Sequence, residues 1–588
     1  MTSPNVSISL SRPHRSISYH PLSTARSEIR ILVISPEEDE SCDLRCRLEH
    51  ETLLSLSADF VALSYHWGDV RIVRQVKLSG ESVQVTLNLY DALKQLRSRG
   101  IYRVWVDDLC INQYGNDEIS QQIMRMSAIY RAASLVLAHI SLSDPRPQRS
   151  LHRLVKRTEK LEIRDGEKRA LFQILDSPYW LRSWIIQEIS VNFEMVLVWG
   201  SQDFGLDELV LTFTELQGHL ERARRDVLRH IQRLYHVRTS QLASQPISLT
   251  DTLGWCYRAQ VTICRDRVFS LLGITHDGSI LVPIPTYTSS EDDINRYMTL
   301  RVMRATRRLD ILVSHRREFR TWYPNWFDPE YWFFWTKSQS GAARLDLRTY
   351  TNYDDKNSAG PLTGKLKMDG KSPVVQAALL GTILSCGPTL TETVASDEPD
   401  SHIVQPRGWE NMMHRSGPRH DNTLYRLLVD IIRGEGGRGT GISTFRRLLR
   451  SPKAIAEVHH HAPWLLRWVN CCEAQGLRVE GLSLLTYLAD RYEGGKAGLD
   501  VAQLCRQIRR TLEADMRLGC TEDGHVGWFH QGARTGDRIA TFLGWEMLCV
   551  LRPHASGGYM LVSRCIVEGV AGGTNATRQH RLVDIKLV

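Results

Sequence analysis

The chain has 588 residues, of which 42% are hydrophobic and 24% charged, a composition typical of a globular protein with more than one packed core. Its formal net charge of +8 arises from 74 basic and 66 acidic residues. Because this excess is thinly spread, it argues against a dedicated nucleic-acid-binding protein, which would carry a clustered basic stripe. No segment approaches the roughly 18–20 consecutive apolar residues that span a bilayer, so no membrane span is predicted.

Cysteine usage indicates a reducing compartment. The 12 cysteines are scattered without a CxxC pair, and no cysteine–histidine set has zinc-like spacing. We therefore predict reduced thiols, a cytoplasmic location and no metal site. Residues 1–57 are interpreted as an N-terminal leader. Its first 27 residues lack Asp and Glu and are rich in serine, which fits both a mitochondrial transit peptide and a polar leader.

Residues 58–200 alternate between short apolar runs and amphipathic segments of helical period. In chain order the patterns predict a strand over Phe60–Tyr65, a helix over 87–97, a strand over Tyr102–Val106, a helix over 117–133, a strand over Leu135–Ala138, a helix over Trp180–Ile189 and a strand over Met195–Trp199. Strands that alternate with helices across short connections favour an α/β fold, in which a parallel sheet is flanked by helices.

Polar and aromatic residues follow two of these strands. Ser64, Tyr65 and Trp67 stand at the end of the first predicted strand, and Asp107 follows the second. Ligands of parallel α/β sheets bind in the crevice outside the carboxyl ends of the strands. These four residues are therefore predicted to contact a bound ligand.

Beyond this region the sequence pattern changes. Residues 201–275 are predicted to form a helical extension of the same module, and residues 276–588 a mixed α+β C-terminal region. Within that region, helical patterns occupy 423–433 and 441–518, and four strand-like segments lie near the end: Val526–Phe529, Arg538–Leu543, Met547–Leu551 and Tyr559–Val567. No repeat or nucleotide-binding motif assigns a role to these residues.

Three blocks of sequence are specific enough to indicate a family: Phe60–Asp69, Trp105–Gln113 and Trp180–Glu188. Taken in this order, the three blocks resemble the ALSY-x-WG, W-x-D-x-x-CINQ and W-x-R-x-W-x-x-QE blocks of fungal heterokaryon incompatibility (HET) domains. The resemblance implies a role in fungal nonself recognition, in which fusion of unlike cells triggers programmed cell death. It also implies a protein partner, either a second copy of this chain or another incompatibility protein.

HET domains in turn resemble TIR domains, which implies a TIR-like (flavodoxin-like) parallel sheet. Some TIR domains cleave NAD at the nicotinamide–ribose bond with a glutamate in a Trp-x-x-x-Glu arrangement, and Trp184 and Glu188 match that arrangement here. The resemblance implies that Glu188 is catalytic, that Trp184 packs the site and that NAD is the substrate, with no cofactor. A carboxylate beside the ribose would stabilise the positive charge that develops as nicotinamide leaves.

Structural interpretations of the same residues stay open. Glu188 could simply pair with Arg182, and Trp67 and Trp184 could serve as core residues, because tryptophan fills large core volumes. Cys110 has no histidine placed to act as its base, so a buried thiol is preferred. Three functional hypotheses follow: an NAD-hydrolysing effector, a non-catalytic signalling module that acts by homotypic oligomerisation, and a regulatory paralogue without death activity.

Overall fold

The structure is a computed structural model, and it divides into two compact units, one formed by Met1–Ile294 with Trp326–Leu347 and the other by Asn295–Asn325 with Arg348–Val588. It describes residues 17–36, 44–53, 59–141, 148–156, 163–282, 285–306, 309–312, 322–329, 331–332, 367–389, 468, 471–472, 474–479, 482–483, 516–543, 548–567, 570 and 579–588. The helical pattern predicted at 423–433 lies outside the described residues, as does most of the one at 441–518.

Strands and helices alternate through the first part of the first unit. In chain order they are β1 (Glu28–Ile34), β2 (Arg45–Thr52), β3 (Val61–Tyr65), β4 (Val73–Leu78), β5 (Glu81–Thr86), α1 (Leu87–Ser98), β6 (Arg103–Trp105), α2 (Asp107–Cys110), α3 (Asn116–Ala132), β7 (Leu135–Ile140), α4 (Gln148–Lys156), α5 (Asp165–Leu175), α6 (Ile185–Glu188), β8 (Met195–Trp199) and β9 (Gln202–Phe204). The predicted α/β class is confirmed.

Among the described residues, the strands of this unit form one nine-stranded sheet in the order β5-β4-β2-β1-β6-β3-β7-β8-β9. The predicted parallel sheet is confirmed in part: the whole sheet is mixed, because β1 runs antiparallel to both β2 and β6, and β4–β5 and β8–β9 are antiparallel pairs. Ser79 and Gly80 connect β4 to β5 with φ angles of 50° and 92°. Positive φ at both central residues is the requirement of a type I′ turn, which joins antiparallel neighbours.

The parallel part of the sheet is its centre. There β3 pairs in parallel with β6 on one side and with β7 on the other, and β7 pairs in parallel with β8. Every residue of β3 is buried, as expected for a strand that is covered on both faces. Across the sheet, the four central strands stand in the order β6-β3-β7-β8. By their order in the chain this is second, first, third, fourth, so the direction in which strands are added reverses between β3 and β7. Such a reversal leaves a crevice at the carboxyl ends of the two strands.

Two features of the N-terminal half differ from the sequence prediction. β1 and β2 lie within residues 1–57, for which the sequence indicated a leader, yet they are part of the same sheet as β3. The helix predicted over Trp180–Ile189 is interrupted: a 3-10 turn covers Pro178–Leu181, and α6 is only four residues long. Gln260 explains the break, because its backbone N–H donates to Leu181 O at 2.5 Å and its carbonyl accepts from Ser183 N at 3.1 Å.

The segment after β9 is helical. Its helices are α7 (Leu206–Glu215), α8 (Arg222–Leu242), α9 (Leu249–Trp255), α10 (Asp266–Phe269) and α11 (Gly278–Leu281), and α12 (Glu291–Thr306) follows, with most of its residues in the second unit. Arg238 of α8 is buried and donates to the carbonyls of Ile189 and Asn192, both at 2.6 Å. These bonds attach the helical segment to the residues that lead into β8.

The second unit is dominated by antiparallel strands. They are β10 (Lys367–Asp369), β11 (Ser372–Cys386), β12 (Arg478–Val479), β13 (Leu482–Ser483), β14 (Met516–Thr521), β15 (Val526–His530), β16 (Arg538–Phe542), β17 (Leu548–Pro553), β18 (Tyr559–Val567) and β19 (Leu582–Lys586). The four strands predicted near the C-terminus are confirmed within a residue or two.

Six strands of the second unit, as far as the structure describes it, close into a barrel. The pairings run from β11 through β14, β15, β18, β17 and β16 and return to β11. Closure is achieved because β11 is long and shifts register between Leu379 and Gly381 and again between Ile383 and Ser385, and such irregularities bend a strand. Apolar side chains that include Ile383 and Phe529 fill the interior. In the described part of the chain, no helix has the length and apolar character needed to cross a membrane.

Candidate functional site

A buried polar cluster lies at the carboxyl end of β3. Ser64 is fully buried, and its hydroxyl donates to Glu188 Oε2 at 2.5 Å and lies 2.9 Å from the hydroxyl of Tyr179. A hydroxyl on a strand that is covered on both faces must find polar partners, because an unpaired buried hydroxyl is costly. The 3-10 turn that contains Tyr179 and the short helix α6 supply those partners.

Arg182 connects the two carboxylates of this cluster. Its guanidinium donates to the carbonyl oxygen of Tyr65 and lies 3.9 Å from Glu188 Oε2 and 3.9 Å from Asp107 Oδ2. At these separations Arg182 interacts with both carboxylates through charge, without a short hydrogen bond to either. The side chain of Glu188 is 1% exposed, so the cluster covers this carboxylate.

The loop after β6 holds Asp107 in place. Asp107 Oδ2 accepts from Trp67 Nε1 at 3.2 Å, and the carbonyl of Asp107 accepts from Gln113 Nε2 at 2.8 Å. The carboxylate also accepts at 2.8 Å from the backbone N–H of Asp108 through Oδ1. Gln113 thus ties this loop together by a hydrogen bond to the backbone.

Burial dominates the protonation of the cluster. It raises the pKa of Glu188 to about 7, with the charge of Arg182 opposing the rise and that of Asp107 adding to it. Burial also raises the pKa of Asp107, again against the effect of Arg182. For Arg182, burial works to lower the pKa, but the two carboxylates outweigh it and the net shift is upward. Glu188 therefore keeps its proton to a higher pH than an ordinary carboxyl group, which suits general acid–base chemistry but also occurs in structural ion-pair networks.

The structure brings together five of the six residues that the sequence singled out: Ser64, Tyr65, Trp67, Asp107 and Glu188. Trp184 is the exception. Its Nε1 donates to Asp266 Oδ2 at 3.2 Å, and the other oxygen of Asp266 accepts from the hydroxyl of Tyr287 at 2.6 Å. Trp184, the residue immediately before α6, thus connects that helix to Asp266 at the start of α10.

Sequence reasoning did not identify Tyr179, which completes the hydrogen-bonded group around Ser64. Its position immediately before the block Trp180–Glu188 was the available signal. The interpretation of Cys110 as a buried thiol is confirmed, because it is almost fully buried and burial raises its pKa to about 12. A thiol with such a pKa is not a nucleophile at neutral pH.

A cavity of about 410 Å³ opens beside this cluster, between the ends of β3 and β7. His66, one residue beyond β3, lines it, and so does Ser141, one residue beyond β7. None of the six residues predicted from the sequence is among those that line it. Burial, assisted by the charge of Arg182, lowers the pKa of His66 to about 4, so this imidazole is neutral at pH 7.

Comparison with known proteins bears on the segment that holds these residues. Residues 60–188 match the family model described as "Heterokaryon incompatibility protein (HET)". The chain carries a HET domain. Over 130 residues it is 30% identical to "Heterokaryon incompatibility protein 6, OR allele" of Neurospora crassa. That similarity covers 20% of this chain and 19% of the relative, so about four-fifths of each protein lies outside it. No solved structure matches the chain significantly.

Every residue of the cluster lies inside the matched segment, which begins just before β3 and ends at Glu188. The fold of the HET domain itself extends further, because β1 and β2 on one side and β8 and β9 on the other complete its sheet. The family segment therefore coincides with the part of the first unit that builds the polar cluster, and not with the whole folded unit.

Proposed function

We propose that this protein acts in fungal heterokaryon incompatibility and that its HET domain triggers cell death when unlike cells fuse. The HET domain and the similarity to an incompatibility protein of Neurospora crassa support the role. The partner is a second copy of the chain or another incompatibility protein, and the site of action is the cytoplasm.

The chemistry that we propose is hydrolysis of NAD by a TIR-like domain with Glu188 as the catalytic residue. The order of the four central parallel strands supports a flavodoxin-like relationship, because that class shares the order second, first, third, fourth. Glu188 lies between β7 and β8, in a block that resembles the glutamate-bearing segment of TIR domains. The observation that carries the proposal is a carboxyl group with a pKa of about 7 at the carboxyl ends of parallel strands.

In this mechanism the bond between ribose C1′ and the nicotinamide nitrogen breaks, and its electron pair leaves with neutral nicotinamide. Ionised Glu188 stabilises the oxocarbenium-like ribose, and water attacks C1′ and loses a proton to the carboxylate. Because Glu188 is covered, the reaction requires the segment that carries Tyr179 and Arg182 to move away from Ser64 and Tyr65. We propose that self-association supplies this rearrangement.

A second candidate function is a non-catalytic signalling module that passes on the death signal through homotypic contacts. The observation that favours it is the enclosure of Glu188 by Ser64 and Arg182, an arrangement that a purely structural ion-pair network would also adopt. A regulatory paralogue without death activity has the same geometry and differs only in its effect on the cell.

Nicotinamide release from NAD separates these functions. Full-length protein, assembled and verified by light scattering, is incubated with NAD alongside Glu188→Gln and the matched control Glu194→Gln, which alters an exposed glutamate nearby. The enzymatic proposal expects release by the wild type and by Glu194→Gln only. If assembled, folded wild-type protein releases no nicotinamide while overexpression still kills a fungal host, the signalling function holds. If overexpression leaves the host viable, the regulatory paralogue holds.

A further inference from the structure

The cavity between β3 and β7 is lined by two strand ends and two helices. His66 follows β3, Ser141 follows β7, Asn88 belongs to α1, and Arg169 and Phe172 belong to α5. It lies where strand addition reverses, which is the usual place for ligands in open α/β sheets. Its volume of about 410 Å³ is within the range of small-molecule sites and near its lower end. One nucleoside-sized unit fits this space, whereas a complete dinucleotide exceeds it.

The lining combines a ring with hydrogen-bonding groups. Phe172 offers an aromatic ring, one face of which is covered by the guanidinium of Arg224 at 3.9 Å from the ring centroid, so a ligand would contact the rest of the ring. Asn88 carries a side-chain amide whose nitrogen donates to His66 O at 2.9 Å. The hydroxyl oxygen of Ser141 is buried and has no hydrogen-bond partner among the residues that the structure describes. A buried hydroxyl without a partner is costly, so a ligand that bonds to it offsets that cost.

The charges around the cavity favour an anion. Arg169 lines it and is exposed, so its charge is available to a ligand. The carboxylate in the lining, Asp176, is held by Arg224 through hydrogen bonds of 2.7 and 2.9 Å. Arg182 adds positive charge near His66, which is itself neutral at pH 7. The lining therefore combines an available cation with a carboxylate that is already neutralised.

We propose that this cavity binds a nucleoside phosphate, with the base against Phe172, a polar group of the nucleoside on Ser141, and the phosphate at Arg169. None of the residues predicted from the sequence to bind a ligand lines this cavity, and nucleotide binding there does not depend on hydrolysis of NAD. A free mononucleotide and one half of NAD share this chemistry, and the measurements below distinguish them.

The test is calorimetric titration of the full-length protein with AMP, adenosine, inorganic phosphate and NAD. Loss of a charge-assisted hydrogen bond predicts that adenosine binds about tenfold more weakly than AMP and that Arg169→Glu weakens AMP about tenfold. Arg153→Glu makes the same charge change at an exposed arginine outside the lining and should leave AMP affinity unchanged. Ser141→Ala should weaken AMP and adenosine alike, by roughly three- to tenfold.

Two results would overturn the inference: no heat of binding with AMP or NAD at millimolar concentration, or binding that Arg169→Glu and Ser141→Ala leave unchanged. Tighter binding of NAD than of AMP assigns the cavity to one half of the dinucleotide, and the reverse assigns it to a free mononucleotide. Failure here is distinguishable from failure of the proposed function. Nicotinamide release without AMP or NAD binding that depends on Arg169 contradicts the cavity assignment alone, whereas AMP binding without nicotinamide release contradicts the hydrolysis alone.

Discussion

Arg30 on β1 is the residue whose substitution tests most directly how the N-terminal strands support the HET segment. It is 1% exposed and donates to both oxygens of Glu118 on α3, at 2.6 and 3.1 Å. It also donates to the carbonyls of Cys110 at 3.1 Å and His20 at 2.7 Å. Glu118 in turn accepts from the backbone N–H of Asn112 at 2.8 Å, so one ion pair positions the loop that follows Asp107.

Replacing Arg30 by methionine keeps most of the buried volume but removes four hydrogen bonds and the positive charge. Breaking a buried ion pair from one side costs about 3–5 kcal/mol, because the remaining charge loses its partner. Glu118 is 17% exposed and water reaches it, so the lower end applies. We expect Arg30→Met to lower the free energy of unfolding of the first unit by about 3 kcal/mol.

Urea unfolding of the full chain measures this loss, with Arg47→Met as the matched control. Arg47 pairs with Glu49 of the same strand, β2, but its side chain is 58% exposed, so its loss should cost less than about 1 kcal/mol. A double-mutant cycle with Glu118→Gln should give a coupling energy of roughly 2 kcal/mol between the two residues. Equal losses from Arg30→Met and Arg47→Met, or a coupling energy near zero, would refute the reasoning.

Three further predictions rest on other contacts. The pKa of Glu188 is raised from 4.5 to about 7, so between these pH values the folded state keeps a proton that the unfolded state has lost. The free energy of unfolding should therefore fall by roughly 3 kcal/mol as the pH rises from 4.5 to 7, and Glu188→Gln should remove that dependence in urea titrations. A chain that starts at residue 58 lacks β1 and β2 and should elute as aggregate in size-exclusion chromatography; a monodisperse, folded product would contradict the extended sheet. In the barrel, a Cβ on Gly519 would lie 2.7 Å from Ser385 O, so Gly519→Ala should cost about 1–3 kcal/mol, and an unchanged melting temperature in calorimetry would show that the contact relaxes freely.

The sequence was sufficient to predict the elements whose signal is local. β3 and β7 are short apolar runs, and α3 carries an apolar stripe at helical spacing. β2 has no such signal, because Leu48 is its single large apolar side chain and Cys46 is the one buried residue among its eight. Its identity as a strand depends on pairing with β1, whose register no local pattern specifies.

The same distinction applies to the candidate site. Strand ends were predictable, and with them the proximity of Ser64 and Asp107. The partner of Trp184 was not, because Asp266 lies 82 residues further along the chain and no spacing rule connects them. The helical turn from Trp184 to Glu188 is present, with Glu188 N–H donating to Trp184 O at 3.3 Å, but Gln260 from a distant segment breaks the predicted helix just before it, at Leu181 and Ser183. Local periodicity cannot predict where a distant chain segment intervenes.

The arrangement of the cavity and the carboxyl group constrains how the two proposals fit together. Two chain segments contact both the cluster and the cavity. In the first, Ser64 bonds to Glu188 and His66 lines the cavity; in the second, Tyr179 contacts Ser64 and Pro178 lines the cavity. A ligand in the cavity therefore touches both segments that enclose Glu188 without touching Glu188 itself. Arg182 donates to the carbonyl of Tyr65, which lies between Ser64 and His66 in the chain. Any shift of this end of β3 therefore also moves Arg182, which helps to cover the carboxylate of Glu188. Occupation of the cavity and exposure of Glu188 should thus be coupled, and AMP should change the pH dependence of stability in the wild type but not in Glu188→Gln.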